Sequence, residues 1–135
     1  MVSKIDHIGI FVKDLENSLK KYTGLLGLEA GKIEEMEFEG AVDRLAFLPI
    51  RDASIELIST GAERGFAADF LREKGEAIHH IAFEVEDLDA IFEELTSRGV
   101  VFLKNQVLQG SRGTKVAFFQ PEEFNGIYIE LVEKH

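Results

Sequence analysis

Two histidines and two glutamates recur at nearly equal spacing in this 135-residue chain. His7 lies in IDHIGIFVKDL at 5–15 and His80 in IHHIAFEVEDL at 78–88, two stretches that agree at six of eleven positions. Glu56, in SIELIS at 54–59, follows His7 by 49 residues; Glu130, in IYIELV at 127–132, follows His80 by 50. Two imidazole nitrogens and two carboxylates are a donor set suited to a divalent transition ion such as Co, Ni, Zn, Mn or Fe. An ion with six coordination positions would keep two for water or substrate oxygens. A single strand glutamate is more often a solvated side chain, and a single histidine more often structural. The repetition of both types in two related halves favours one shared metal site.

The flanking pattern says which elements must carry these four. Residues 4–12 alternate as a strand does, with Ile8, Ile10 and Val12 on one face and Ile5, His7 and Phe11 on the other. By the same parity His80 opposes Ile81 and Phe83, Glu56 opposes Ile55 and Leu57, and Glu130 opposes Ile129 and Leu131. If helices cover the isoleucine side, all four polar side chains share the uncovered one. Asp14 predicts the N-cap of a helix over 15–25, with Leu15, Leu19, Tyr22 and Leu26 at helical spacing. Asp87 predicts another over 88–98, with Leu88, Ile91, Phe92 and Leu95 inward and Gly99 at its end. A short helix over 66–74 joins the halves. His79 should face away from His80 near the rim of the sheet, and His135 ends the chain.

The expected organisation is a single domain, 1–135: one module at about 3–60, a linker at about 61–76, and a second module at about 77–133. Each module reads strand, helix, three strands, which makes the fold class α+β. Two copies are too few for a solenoid. A net charge of −10 makes nucleic acid a poor partner. With no cysteine there is no disulfide, thiolate metal site or thiol nucleophile. No membrane-spanning stretch or signal-type h-region is read, so a soluble cytoplasmic protein is expected. No GxGxxG or P-loop motif occurs, so no nucleotide cofactor is expected.

The sequence resembles the vicinal oxygen chelate superfamily over 4–132. The carrying segments are KIDHIGIFVKDLENSLKKY at 4–22, GLLGLEA at 24–30, AFLPIRDASIELI at 46–58, FLREKGEAIHHIAFEVEDL at 70–88 and KVAFFQPEEFNGIYIEL at 115–131. The resemblance implies two paired βαβββ modules forming a metal-binding cup, with His7, Glu56, His80 and Glu130 as ligands. Within the superfamily the chain is most similar to the methylmalonyl-CoA epimerase family. That likeness implies a metal-dependent isomerase of a small-molecule substrate, such as an acyl-CoA thioester, with Glu130 as the base that removes the α-proton. It also implies a homodimer. The second acid is open among Glu37, Glu39 and Asp43. The chain departs from the family in having Gln120-Pro121-Glu122-Glu123 where a basic and a hydroxyl side chain are usual, and Arg112 in place of a histidine; Arg112 or Lys115 could supply the positive charge. A glyoxalase I-like lyase, sharing a two-His, two-Glu set, and a metal-free binding member are the competing readings.

Overall fold

The computed structural model describes all residues, Met1–His135, as an α+β fold. The first half runs β1 (Val2–Phe11), α1 (Leu15–Leu26), β2 (Glu34–Phe38), β3 (Ala41–Ile50) and β4 (Ala53–Thr60). After α2 (Phe66–Lys74) come β5 (Ala77–Val85), α3 (Leu88–Ser97), β6 (Leu108–Gln109), β7 (Lys115–Phe118) and β8 (Tyr128–Glu133). Both halves are therefore βαβββ. No helix is long and apolar enough to cross a membrane. The chain divides into two compact units, one of Ile8–His79 and one of Met1–His7 with His80–His135, so the division passes through β1.

In the unit Ile8–His79 the strands follow the order β2-β3-β4-β1, with β2, β3 and β4 antiparallel in turn. Val12, Leu15, Leu48 and Leu57 form one core cluster, to which Ile10, Leu19 and Tyr22 pack. That cluster places α1 on the Ile10 side of the strands, as the alternation requires. The Asn17 amide donates to Asp14 Oδ1 at 3.0 Å, so Asp14 is the predicted N-cap. Leu26 departs from expectation. The helix stops there because Gly27 turns left-handed at φ 71, and Leu26 stays 65% exposed while Leu28 joins the core. Opposite α1, Phe11, Leu45, Phe47 and Ile58 form a second cluster under Ala67, Phe70 and Leu71 of α2. Both faces of these strands are thus covered.

In the other unit the order is β1-β5-β8-β7-β6. β5 runs parallel to β8, and β8 antiparallel to β7, so Glu130 stands between Ala82 and Phe118. α3 packs Leu88, Ile91, Phe92 and Leu95 onto Ile81, Phe83, Ile129 and Leu131, the inward set read from the sequence. The Ala90 amide donates to Asp87 Oδ1 at 3.1 Å, and the Leu88 amide donates to Glu133 Oε1 at 2.9 Å. The helix start is thereby pinned to β8. With Ile81, Ile129 and Leu131 committed to α3, the side chains of opposite parity, His80 and Glu130, are left on the other face.

Candidate metal centre

Within the unit Met1–His7 and His80–His135, three of the expected ligands meet. His7 comes from β1, His80 from β5 and Glu130 from β8. His7 Nε2 lies 3.1 Å from His80 Nε2 and 3.1 Å from Glu130 Oε1, and His80 Nε2 lies 3.3 Å from the same oxygen. None of the three residues is more than 6% exposed. Both histidines belong to a buried group of side chains that could hold a metal ion.

The separations themselves test the fit to an ion. Two ligands about 2.1 Å from one ion and at right angles to each other stand about 3.0 Å apart. The observed spacings agree with that. Glu130 Oε1 is buried, and what it faces are the two imidazole nitrogens, at 3.1 and 3.3 Å. Two imidazole nitrogens and a carboxylate oxygen, buried together, are a donor set that a cation can share. Burial pushes the Glu130 carboxyl up, but the adjacent His7 and His80 outweigh it and hold the group below its usual range. The carboxylate is therefore in the ionised form that a ligand needs.

Glu56 is placed in the unit Ile8–His79. It lies in β4 opposite Phe47, buried, with the parity of Ile58 rather than of Ile55 and Leu57. The expected strand face is therefore the one it takes.

Two neighbours of the histidines were not read correctly, or at all, from the sequence. His79 is not at a rim. It is buried, with ring centroids 4.8 Å from Phe11, 4.9 Å from Phe66 and 5.0 Å from Phe70. Phe66 and Phe70, one turn apart on α2, cover it; the FAADF spacing was the available signal. Asp6 was missed entirely. Its Oδ2 is 2.7 Å from His7 Nδ1, and its Oδ1 is 2.6 Å from Lys134 Nζ, itself 3.6 Å from Glu84. Burial pushes the Asp6 carboxyl up, but His7 and Lys134 more than reverse this and hold it well below the usual carboxylate range. A charged residue inside an apolar strand, next to a candidate ligand, was the signal.

The remaining candidates separate by environment. Glu37 and Glu39 are exposed, Glu39 in the β2–β3 turn at φ 51. Asp43 is half-buried, and burial pushes its carboxyl up against a partly offsetting hydrogen bond with Thr60. Its Oδ1 is buried without a hydrogen-bond partner. Arg44 is engaged by Glu16 through two contacts of 3.2 and 2.5 Å, and Lys115 by Asp89 at 2.5 Å. Arg112 is exposed in the turn Ser111–Gly113. Glu123 accepts from the Val101 amide at 2.8 Å, which gives that departure from the family pattern a structural use.

The family model described as the Glyoxalase/Bleomycin resistance protein/Dioxygenase superfamily matches residues 6–118. An ethylmalonyl-CoA/methylmalonyl-CoA epimerase of Cereibacter sphaeroides is 34% identical, over 97% of this chain and 98% of its own. The human mitochondrial methylmalonyl-CoA epimerase is 25% identical, over 96% of this chain and 73% of its own. Among solved structures, a variant of Streptomyces coelicolor methylmalonyl-CoA epimerase in complex with 2-nitronate-propionyl-CoA superposes with a TM-score of 0.92 at 32% identity. That match covers 99% of this chain and 96% of the other.

Proposed function

Because the chain belongs to the Glyoxalase/Bleomycin resistance protein/Dioxygenase superfamily, we propose that it is a metal-dependent epimerase that moves the proton α to a thioester carbonyl, with methylmalonyl-CoA as substrate. The observation that carries this reading is the convergence of His7 Nε2, His80 Nε2 and Glu130 Oε1 within 3.3 Å of one another. The similarity to methylmalonyl-CoA epimerases over nearly the full chain supports the substrate.

His7, His80 and Glu130 would hold the ion, with Glu56 as the fourth ligand that the repeat suggests. Glu56 is the repeat counterpart of Glu130 and, like it, is a buried strand carboxylate. When bound, a divalent ion neutralises the charge that grows on the carbonyl oxygen as the α-proton leaves. Glu130 takes that proton. Its Oε1 faces the imidazoles, which leaves Oε2 to carry the hydrogen. Inversion needs a second acid to return a proton to the other face of the planar carbon. Glu37, Glu39 and Asp43 are the candidates for it; Asp43 is the half-buried one of the three, and burial pushes its carboxyl up. The two carboxyls then exchange with solvent, and no electron carrier or co-reactant is consumed.

The test is solvent exchange. One epimer of methylmalonyl-CoA incubated in D2O with the metal-loaded protein should gain deuterium at the α-carbon and yield the other epimer, well above a protein-free control. No incorporation above that control would reject the substrate. Turnover of a glutathione hemithioacetal in its place would support the glyoxalase I-like alternative.

A further inference from the structure

The two histidines follow different neighbours in the repeat. Before His80 stands His79, enclosed by the rings of Phe11, Phe66 and Phe70. Before His7 stands Asp6, a carboxylate only 5% exposed. An isolated carboxylate is expensive to remove from water, and Asp6 is tolerated there because each of its oxygens has a partner. Oδ2 meets His7 Nδ1 at 2.7 Å and Oδ1 meets Lys134 Nζ at 2.6 Å. A chain of contacts therefore runs from the C-terminal segment, through Asp6, to the far side of the His7 ring. The near side of that ring presents Nε2 to His80 and Glu130.

A neutral imidazole carries its hydrogen on one nitrogen and its lone pair on the other, and only the lone pair can bind an ion. An ionised carboxylate accepts hydrogen bonds and cannot donate one. We infer that Asp6 is a positioning residue: by accepting from His7 Nδ1–H it selects the tautomer whose Nε2 lone pair faces the centre, and Lys134 holds Asp6 in place to do so. This rests on His7 being a metal ligand. Without Asp6 the Nε2–H tautomer, which can donate to Glu130 Oε1 at 3.1 Å, becomes populated, and the ring loses a hydrogen bond against rotation. A carboxylate behind a ligating histidine is worth about 10–100-fold in metal affinity.

The test uses the full chain with Asp6→Leu, Asp6→Asn and Lys134→Met, read in two ways. Zinc or cobalt affinity, by chelator competition, should fall about 10–100-fold in Asp6→Leu. It should fall less in Asp6→Asn, whose amide oxygen can still accept from Nδ1–H. Lys134→Met, near the exposed chain end, should fold normally and shift the affinity in the same direction. Nitrogen-detected histidine spectra of the metal-free protein, at a pH where the imidazoles are neutral, should show His7 protonated at Nδ1 in the wild type. In Asp6→Leu they should show a mixture. A folded Asp6→Leu with unchanged affinity and unchanged tautomer overturns the inference, as does a drop in melting temperature with the tautomer intact. Because the tautomer is read without metal, a wild-type protein that binds no ion would reject the metal reading while leaving this measurement decisive for Asp6.

Discussion

His7 Nε2 lies 3.1 Å from His80 Nε2, across 73 residues of sequence, with the two rings at 87°. A buried carboxylate oxygen lies 3.1 and 3.3 Å from them, spacings that would suit ligands of one shared ion. The triangle and the groups around it each make a separable prediction.

Glu130→Gln keeps the size of the side chain and removes its ability to take a proton. Epimerisation kcat should fall by about 100-fold or more, the usual scale for loss of a general base. Stopped rate assays on protein whose far-UV spectrum matches wild type check this. A rate within a few-fold of wild type would mean that another group removes the proton.

Asp43→Asn should separate exchange from inversion. Deuterium should still enter the epimer that Glu130 can address, while production of the opposite epimer falls by about 100-fold. Mass spectrometry of the two separated epimers reads both quantities. Equal losses of exchange and inversion would argue against two bases with distinct faces.

Asp43 also predicts a pH effect on stability. Its carboxyl is raised by burial, so the folded state holds this proton more tightly than the unfolded state does. Stability therefore falls as pH rises from the unfolded value through the folded one, and the penalty persists at neutral pH. Asp43→Asn should remove that penalty and melt no lower than wild type at pH 7, even though it inverts its substrate poorly. Asp6 and Glu130 have the opposite sign. Their carboxyls are lowered, so they stabilise the metal-free fold above the ordinary carboxylate range, and this is lost as pH falls below it. Urea titrations across pH of wild type, Asp43→Asn and Asp6→Leu would resolve the two slopes.

The helix caps give a test of the frame alone. Asp14→Ala and Asp87→Ala each free an amide of the first turn, of Asn17 and Ala90 respectively, and should each cost about 1 kcal/mol in urea unfolding. Asp87→Ala leaves the bond from the Leu88 amide to Glu133 in place, which should limit its effect on the centre. Metal affinity should stay within a few-fold of wild type in both variants.

Much of this is legible in the sequence, for identifiable reasons. Strand alternation has a strict period of two, so the apolar partners of His7, His80 and Glu130 assigned their faces. The repeat then supplied the reason for them to converge. Asp14, Asp87 and Gly27 punctuate helices by local chemistry, and α2 falls at Phe66–Lys74 as expected. What failed to show was non-local. Asp6 lies next to His7 on a strand, where alternation turns neighbours apart, yet its side chain reaches the ring edge and is fixed there by Lys134 near the opposite end of the chain. His79 was misplaced because nothing in its own strand reveals that α2 lies over it. Leu26 keeps helical spacing, but as the last residue of α1, just before the left-handed Gly27, it stays exposed.

X-ray absorption at the metal edge of the protein loaded with cobalt or zinc reads the ligands of the centre themselves. Two imidazole scatterers with nitrogen at about 2.0–2.1 Å, plus oxygen donors, are expected, with the loss of one imidazole in His80→Ala. A bound ion with no histidine in its coordination sphere would contradict that expectation.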